Sequence, residues 1–185
     1  LAPIKDVKTM IYAFFELHER MPKVRLHIMG GVDDEEYGAE CRALVETLGV
    51  RDLIFTGRVN VVEYMEKLDF TILTSISEGQ PLSVLESLGA RRPCVTTEVG
   101  CCRELLEGAP GDDFGVAGFV SPPMYRKGLA DAMERMCASR ARRLEMGERG
   151  QRRVATYYLH EQMLANYRAL YDETARAFNL PRKEV

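Results

Sequence analysis

Two glutamates, Glu78 and Glu86, are the residues whose type and spacing best suit a chemical role. They lie eight positions apart in the segment Ser77-Glu78-Gly79-Gln80-Pro81-Leu82-Ser83-Val84-Leu85-Glu86. Ionised carboxylates accept hydrogen bonds strongly, so such a pair can hold the vicinal hydroxyls that sugars and riboses carry. The same residues also fit a plainer structure, in which Glu78 complements a helix dipole and Glu86 lies on a solvated helix face.

A helix over 81–90 is predicted to carry the second glutamate, because a proline suits the first helical turn. On this helix Ser83 and Glu86 lie three residues apart and share a face. The buried face is predicted to consist of Leu82, Leu85 and Leu88. The free N–H groups and partial positive charge of the helix N-terminus suit a phosphate, so a phosphorylated ligand is expected in the loop before it.

Cations and glycines occupy other loop positions that could face a ligand. Lys5 precedes a predicted helix, and Arg58 lies in the turn Gly57-Arg58-Val59-Asn60. Gly30 and Gly31 end a predicted strand, where small residues let a ligand approach the backbone. Each position also has an ordinary structural interpretation: the two cations as exposed surface residues, and the glycines as a strand terminus.

Alternating strands and helices must position these residues. Strands are predicted over 24–29, 53–56, 69–74, 93–97 and 117–120. Amphipathic helices are predicted over 6–20, 33–48, 61–67, 81–90 and 101–106. Short apolar strands separated by helices predict a Rossmann-like, doubly wound parallel α/β sheet, which binds ligands beyond the carboxyl ends of its strands. Residues 1–185 are interpreted as one domain, with 124–178 as its helical C-terminal part.

Composition restricts the partners and the compartment. The 185 residues carry a net charge of −3, whereas a nucleic-acid binder normally has a basic excess, so no nucleic-acid partner is expected. The sequence contains no apolar run of about 18 residues, so no membrane span is expected. The five cysteines form no CxxC pair, which indicates a reduced, cytoplasmic protein. The turn at Asp112 and the basic stretches 140–143 and 149–153 are predicted to be solvated, and no metal site is expected.

The segment from Ser75 to Glu86 resembles the E-x7-E motif of family 4 retaining glycosyltransferases, within the pattern S-x-x-E-G-x-P-L-x-x-L-E. The flanking segments 69–75 and 92–100 agree with that family. Segments 3–9 and 99–105 resemble the subgroup that acts in Pel-type bacterial exopolysaccharide synthesis. The resemblance covers about residues 1–175. It implies the nucleotide-sugar-binding, C-terminal half of a GT-B fold, which has two Rossmann domains.

This resemblance also implies roles for individual residues. Glu86 would bind the ribose hydroxyls, Glu78 would contact the donor sugar, and Lys5 would neutralise the departing diphosphate. The backbone near sugar and diphosphate would be that of Gly79, Gln80, Pro81 and Leu82. The base would lie against the loop that contains Gly57, Arg58 and Val59, with Gly30 nearby. No cofactor or metal is implied. One departure concerns the end of the motif helix, where Arg91 stands near the usual position of a glycine.

For the parent protein, the resemblance implies a hexosyltransferase that uses UDP-glucose in exopolysaccharide synthesis. An N-terminal acceptor-binding domain of the same protein is the expected partner, together with peripheral association with a membrane polysaccharide synthase complex. Without that domain, the chain is expected to bind nucleotide but not to transfer sugar. Alternatives are half of a related sugar-nucleotide epimerase or glucan phosphorylase, or a non-catalytic α/β interaction module of the flavodoxin or receiver type.

Overall fold

The computed structural model describes residues 1–178, which contain five parallel strands. They are β1 Leu26–Met29, β2 Leu53–Gly57, β3 Thr71–Leu73, β4 Cys94–Thr97 and β5 Gly118–Ser121. β1 pairs with β2, and β3, β4 and β5 form a second ladder in that order, all in parallel. The predicted parallel α/β fold is therefore confirmed, although β1, β3 and β4 are shorter than the sequence indicated.

Helices connect and cover the strands. They are α1 Val7–Arg20, α2 Glu35–Leu48, α3 Val61–Met65, α4 Leu82–Gly89, α5 Cys102–Glu107, α6 Arg126–Cys137, α7 Arg140–Tyr157 and α8 His160–Ala177. Asp6 caps α1 by accepting a hydrogen bond from Thr9 N, and Gly49 ends α2 at a φ of 62°. The predicted helical C-terminal part is confirmed as α6, α7 and α8. No helix within 1–178 has the length and apolarity that crossing a bilayer requires.

One hydrophobic core extends under both ladders. Ile11, Phe14 and Leu17 of α1 are buried in it, together with Ile28 of β1 and Val95 of β4. A second cluster packs α4 and α5 against the opposite face of β4, since it contains Cys94 whereas the first contains Val95; its members are Val84, Leu88, Cys94, Leu105, Leu106 and Ala117. α1 packs against α2 and α6, and its apolar face belongs to the same core as β1 and β4.

The inward face of α4 differs from the prediction. Val84, Ser87 and Leu88 are buried, whereas Leu82 is 68% exposed. Ser87 belongs inside because its hydroxyl donates to the carbonyl of Arg92 and pairs with the hydroxyl of Thr71. Spacing alone does not distinguish the predicted apolar face from the one that contains Val84 and Leu88. The observed orientation of the helix gives the buried Ser87 hydroxyl its two hydrogen-bond partners.

The end of α4 forms a left-handed cap without glycine. Arg91 has a φ of 58°; its N–H donates to Leu88 O, and Arg92 N–H donates to Ser87 O. These are the two hydrogen bonds of a Schellman motif, in which a glycine usually takes the left-handed position. The Arg91 Nε also donates to the side-chain oxygen Oε1 of Gln151, 2.7 Å away. The helix thus ends where the sequence predicted, with backbone strain at Arg91.

The prediction of solvated residues at Asp112 and along 149–153 is wrong for one pair. Arg153 of α7 is fully buried, and its guanidinium donates two hydrogen bonds to the Asp112 carboxylate, of 2.5 and 3.1 Å. The same guanidinium donates to three carbonyls, those of Leu105, Leu106 and Gly115. Hydrogen bonding from Arg153 lowers the pKa of Asp112. A buried charge requires such pairing, but the partners lie 41 positions apart and show no joint signal in the sequence.

The last helix, α8, has no buried residue. It nevertheless carries large apolar side chains at helical spacing, and the exposed ones are Met163, Leu164, Tyr167, Leu170 and Tyr171. Such a stripe on an isolated helix marks a surface for packing against something else.

Candidate functional site

The carboxyl ends of the strands bring four loops and the N-terminal segment to one edge of the sheet. Thr74, at the end of β3, donates its hydroxyl to the carbonyl of Lys5 at 2.9 Å. Thr97, at the end of β4, donates to the carbonyl of Ser75 at 2.6 Å. Both threonines are fully buried, so they fix the loop after β3 between the N-terminal segment and β4.

An ion pair between Lys5 and Glu78 lies at the centre of this edge. Lys5 Nζ is 2.6 Å from Glu78 Oε1, and the hydroxyl of Ser75 donates to the same oxygen at 2.7 Å. The Glu78 side chain is only 15% exposed, whereas that of Lys5 is 49% exposed. Burial raises the pKa of Glu78, but the hydrogen bonds from Lys5 and Ser75 outweigh it and hold the pKa below its usual value. Glu78 is therefore a carboxylate at neutral pH.

The loop that carries Glu78 lies directly against the loop after β4. Cys101 N–H donates to Gly79 O at 3.0 Å. A Cβ on Gly100 would lie 2.1 Å from Gly79 O and 2.4 Å from Glu78 O, and Gly100 has a φ of 50°. Only glycine fits here, because both the backbone conformation and the space exclude a side chain. Gly100 thus sets the position of Glu78.

The N-terminus of α4 follows that loop at once. Pro81 is the N-cap, and its carbonyl accepts from the N–H groups of Val84 and Leu85. The N–H groups of Leu82 and Ser83 have no acceptor within the helix and carry its positive dipole end. Pro81 itself has no N–H, so it contributes position rather than a donor. This end of α4 is suited to an anion.

Glu86 lies one turn further along α4, on the same exposed face as Leu82. Within residues 1–178, no hydrogen bond or ion pair holds its carboxylate, which is exposed. It is therefore free to accept hydrogen bonds from a ligand. The glutamates differ in state: Glu78 is fixed by two neighbours, and Glu86 is open.

The ends of β1 and β2 form a second group. Gly30 N–H donates to Gly57 O at 2.9 Å, and both glycines have positive φ, 124° and 68°. The Arg58 side chain extends across Gly31, whose added Cβ would lie 3.0 Å from Arg58 Nε. Val59 is half-buried beside it. The structure thus brings Gly30, Gly57 and Arg58 together, as it does Lys5, Glu78 and Gly79. Over the described range, no hydrogen bond or ion pair joins the first trio to the second.

Residue-level prediction missed three contributors to this edge. Ser75 was within the sequence pattern, as its first serine, and its spacing of three from Glu78 was the available signal. Gly100 had a signal only as a glycine after a predicted strand. Thr97 had none, because a buried hydroxyl that ties two loops depends on strands distant in sequence.

Comparisons with known proteins agree on one family. Residues 1–139 match the family described as glycosyl transferases group 1. N-acetyl-alpha-D-glucosaminyl L-malate synthase of Bacillus anthracis is 25% identical over 175 residues, which are 94% of this chain and 43% of that protein. The chain therefore spans less than half the length of this relative.

Solved structures share the fold. Sucrose-phosphate synthase from Thermosynechococcus elongatus superposes with a TM-score of 0.80 at 23% identity, covering 95% of this chain and 44% of that one. Anabaena Alr3699/HepE, solved in complex with UDP and glucose, gives a TM-score of 0.79 at 21% identity, covering 91% and 46%.

Proposed function

This chain belongs to the group 1 glycosyl transferases, and on that premise we propose that it binds the donor, a nucleoside diphosphate sugar, of a retaining sugar transfer. The observation that carries the proposal is the Lys5–Glu78 pair, 2.6 Å apart, directly before the N-terminus of α4. The cation and the free helix amides match the diphosphate of such a donor, and the carboxylate matches its sugar hydroxyls.

The chemistry proposed for this edge is stabilisation of a leaving group. When the bond between the anomeric carbon and the phosphate oxygen breaks, its electron pair stays on the diphosphate. Lys5 and the N–H groups of Leu82 and Ser83 provide fixed positive charge where that negative charge develops. An acceptor hydroxyl then forms the new bond to the anomeric carbon on the same face, and its proton passes to the departing phosphate oxygen. No metal is needed in this scheme.

Glu78 would hold the sugar. Lys5 and Ser75 both bond to Oε1, and over residues 1–178 no hydrogen bond reaches Oε2. That oxygen can accept from a sugar hydroxyl while the other one stays anchored. Gly79 and Gln80 would place their backbone beside the sugar and diphosphate, since both lie exposed directly before α4 and Gly79 has no side chain.

The nucleoside would extend from α4 toward β1 and β2. Glu86 would accept from the two ribose hydroxyls, a charged hydrogen bond that needs no other partner in this chain. The base would lie against Gly57, Arg58 and Val59, with Gly30 giving room for close approach. Exposed Arg58, with no acid beside it in the described chain, can also stack on a base or pair with a phosphate.

We propose uridine and glucose as the donor's components, with a hexosyltransferase of the Pel exopolysaccharide type as the parent enzyme. The segments 3–9 and 99–105 support the Pel assignment. The HepE structure with UDP and glucose supports the donor, since it shares this fold. A cytoplasmic setting, where nucleotide sugars meet a membrane polysaccharide synthase complex, is part of the same proposal. The five free thiols agree with a reducing compartment.

The acceptor would bind to an N-terminal domain of the same protein. The exposed apolar stripe on α8 is the surface that we assign to that domain, because helix faces of this kind pack in complete proteins. Alone, the chain is expected to bind the donor without transferring its sugar.

Calorimetric titration with UDP, UDP-glucose, GDP and ADP tests the donor proposal. Uridine nucleotides should bind best, and Glu86→Ala should weaken them by about 1.5–3 kcal/mol, the value of a charged hydrogen bond. Glu148→Ala, an exposed glutamate on α7, is the matched control and should change nothing. If Glu86→Ala leaves the affinity for uridine nucleotides unchanged, both in this chain and in a longer chain with the preceding residues, the role assigned to Glu86 is wrong.

A further inference from the structure

Four arginines line a cleft at the amino edge of the sheet, the edge opposite to Lys5 and Glu78. Its walls come from the segments before β3 and β4 and from the first two turns of α7. The cleft has a volume of about 80 Å³, several times the space that one water molecule needs. We call it the arginine cleft, and its lining residues are Asp69, Arg91, Arg92, Arg140, Arg143 and Leu144. One carboxylate among four guanidinium groups leaves an excess of three positive charges.

Close packing of α7 against the end of α4 builds the arginine cleft. A Cβ on Gly147 would overlap the carbonyl oxygen of Arg91, two residues after α4, so a glycine is needed for this approach. Arg143 and Arg140 lie one and two turns before Gly147 on the same face of α7. The packing therefore brings these two arginines beside the two that follow α4.

Backbone carbonyls hold two of the four guanidinium groups in place. Arg92 donates from Nε to Met65 O at 2.9 Å and from Nη2 to Glu66 O at 3.1 Å. Arg143 donates from Nη1 to two carbonyls at the end of α6, both at 3.0 Å, and its side chain is only 14% exposed. Because these acceptors are neutral, they orient the guanidinium groups without cancelling their charge.

Many N–H groups in the arginine cleft have no acceptor, since each guanidinium carries five donors. Arg91 donates only from Nε, to Gln151, and the Arg140 side chain has no hydrogen bond or ion pair within residues 1–178. Asp69, the one acid among the lining residues, accepts from Arg143 Nη2 at 3.1 Å and lies at the rim, 74% exposed. Arg91 also keeps its strained left-handed conformation at this cleft, and such strain is typical of functional sites.

We propose that the arginine cleft binds a dianionic phosphate group, as a second anion site apart from the donor edge. The terminal oxygens of a phosphate point in different directions and can accept from guanidinium groups on several walls, whereas a planar carboxylate matches one guanidinium fork. The bound charge would relieve the repulsion between the four arginines. The N-terminus of α7 adds partial positive charge. Inorganic phosphate, sugar phosphates and the headgroup of phosphatidic acid share this chemistry. The proposal does not depend on the proposed function.

NMR titration with inorganic phosphate, with chloride at equal ionic strength as the reference anion, tests this site. The backbone amides of Arg92 and Arg140 report on the arginine cleft, and those of Leu82 and Ser83 report on the donor edge. Phosphate should shift the cleft amides in a saturable way that chloride does not reproduce.

Three variants make the titration specific. Arg140→Gln should weaken phosphate binding at the cleft about tenfold, the lower end for a charged hydrogen bond, and should not affect folding because Arg140 has no partner in the described chain. Arg152→Gln, which removes an exposed arginine of α7 outside the cleft, is the matched control and should change nothing. Asp69→Asn should tighten binding by up to about fivefold, because it removes the one negative charge and frees a donor of Arg143. A variant that merely damages the fold would not tighten binding.

Sedimentation with phosphatidylcholine vesicles, with and without phosphatidic acid, distinguishes the sources of the phosphate. Sedimentation that requires phosphatidic acid and is lost in Arg140→Gln would identify a lipid headgroup. Binding of free phosphate without sedimentation would identify a soluble phosphate compound.

Three results would overturn the proposal. The first is a phosphate titration that shifts only Leu82 and Ser83, which would leave the donor edge as the single anion site. The second is an equal effect of chloride on the cleft amides, which would reduce the arginine cleft to general screening of charge. The third is equal phosphate affinity in Arg140→Gln and the unchanged protein.

Discussion

The substitution Gly100→Ala should disable the loop that holds Glu78. The added Cβ would lie 2.1 Å from Gly79 O, a backbone atom that cannot rotate away. A left-handed conformation costs a non-glycine residue about 1–2 kcal/mol, and overpacking costs about 1–3 kcal/mol more. The sum is a loss of about 2–5 kcal/mol of folding free energy. Because the clash falls on Glu78 and Gly79, the loop must move away from Lys5.

Two assays measure this effect. Urea denaturation should show the loss of stability, and for a domain of this size Tm should fall by about 2–4 °C per kcal/mol. Titration with UDP-glucose should show affinity reduced at least about tenfold, that is about 1.4 kcal/mol. Gly89→Ala is the matched control: its Cβ meets open space at the end of α4, so stability should hold or rise by up to about 1 kcal/mol.

Two outcomes for Gly100→Ala would contradict this prediction. If Gly100→Ala unfolds at the same urea concentration as the unchanged protein and binds UDP-glucose equally well, the contact between the two loops does not set the site. A stability loss with unchanged affinity would show that the loop position matters for folding but that Glu78 does not hold the donor.

Three other substitutions test the two ion pairs, Asp112–Arg153 and Lys5–Glu78, and the backbone strain at Arg91. Asp112→Asn should cost about 3–5 kcal/mol in denaturant unfolding, because it leaves Arg153 charged and buried without a counter-charge. Since folding lowers the pKa of Asp112, its pairing stabilises the fold above the usual pKa of 3.8 and is lost as pH falls through the lower, folded pKa; the difference between variant and unchanged protein should therefore shrink in acid. Arg91→Gly should raise stability by up to about 1 kcal/mol by relieving its left-handed conformation, and an unchanged or lower Tm would show that the bond to Gln151 outweighs the strain. Lys5→Met should raise the pKa of Glu78, because only the hydrogen bond from Ser75 then opposes the effect of burial; a carboxyl titration by NMR that gives the same pKa in the variant and the unchanged protein would show that Ser75 alone suffices.

Much of the fold followed from patterns that act over short range. The alternation of apolar runs placed every strand and helix of the α/β region, and Asp6 and Gly49 marked helix ends where local capping decides. The sequence predicted the parts of the site whose residues are close together in the chain, such as Glu78 and Gly79. The family resemblance assigned Lys5 and Glu78, 73 positions apart, to one site, but their ion pair was not predicted.

What sequence patterns missed depends on contacts between distant segments. Arg153 and Asp112 form a buried pair, although each looked like a surface residue among charged neighbours. Leu82 is exposed because the helix instead buries Ser87, whose hydroxyl has hydrogen-bond partners inside. Helical periodicity does not predict such partners. The division of the sheet between β1 and β3 was equally hidden, since strand order is a property of the whole chain rather than of any segment.

The most direct test of the account is an NMR titration of this chain with UDP, following every assigned backbone amide. The largest shift changes should fall on Gly79, Leu82 and Ser83 at the start of α4, and on Gly57 and Arg58 after β2. They should saturate together, because one ligand spans both groups. Shift changes that centre on α7 or on the amino ends of the strands would contradict the proposed donor site.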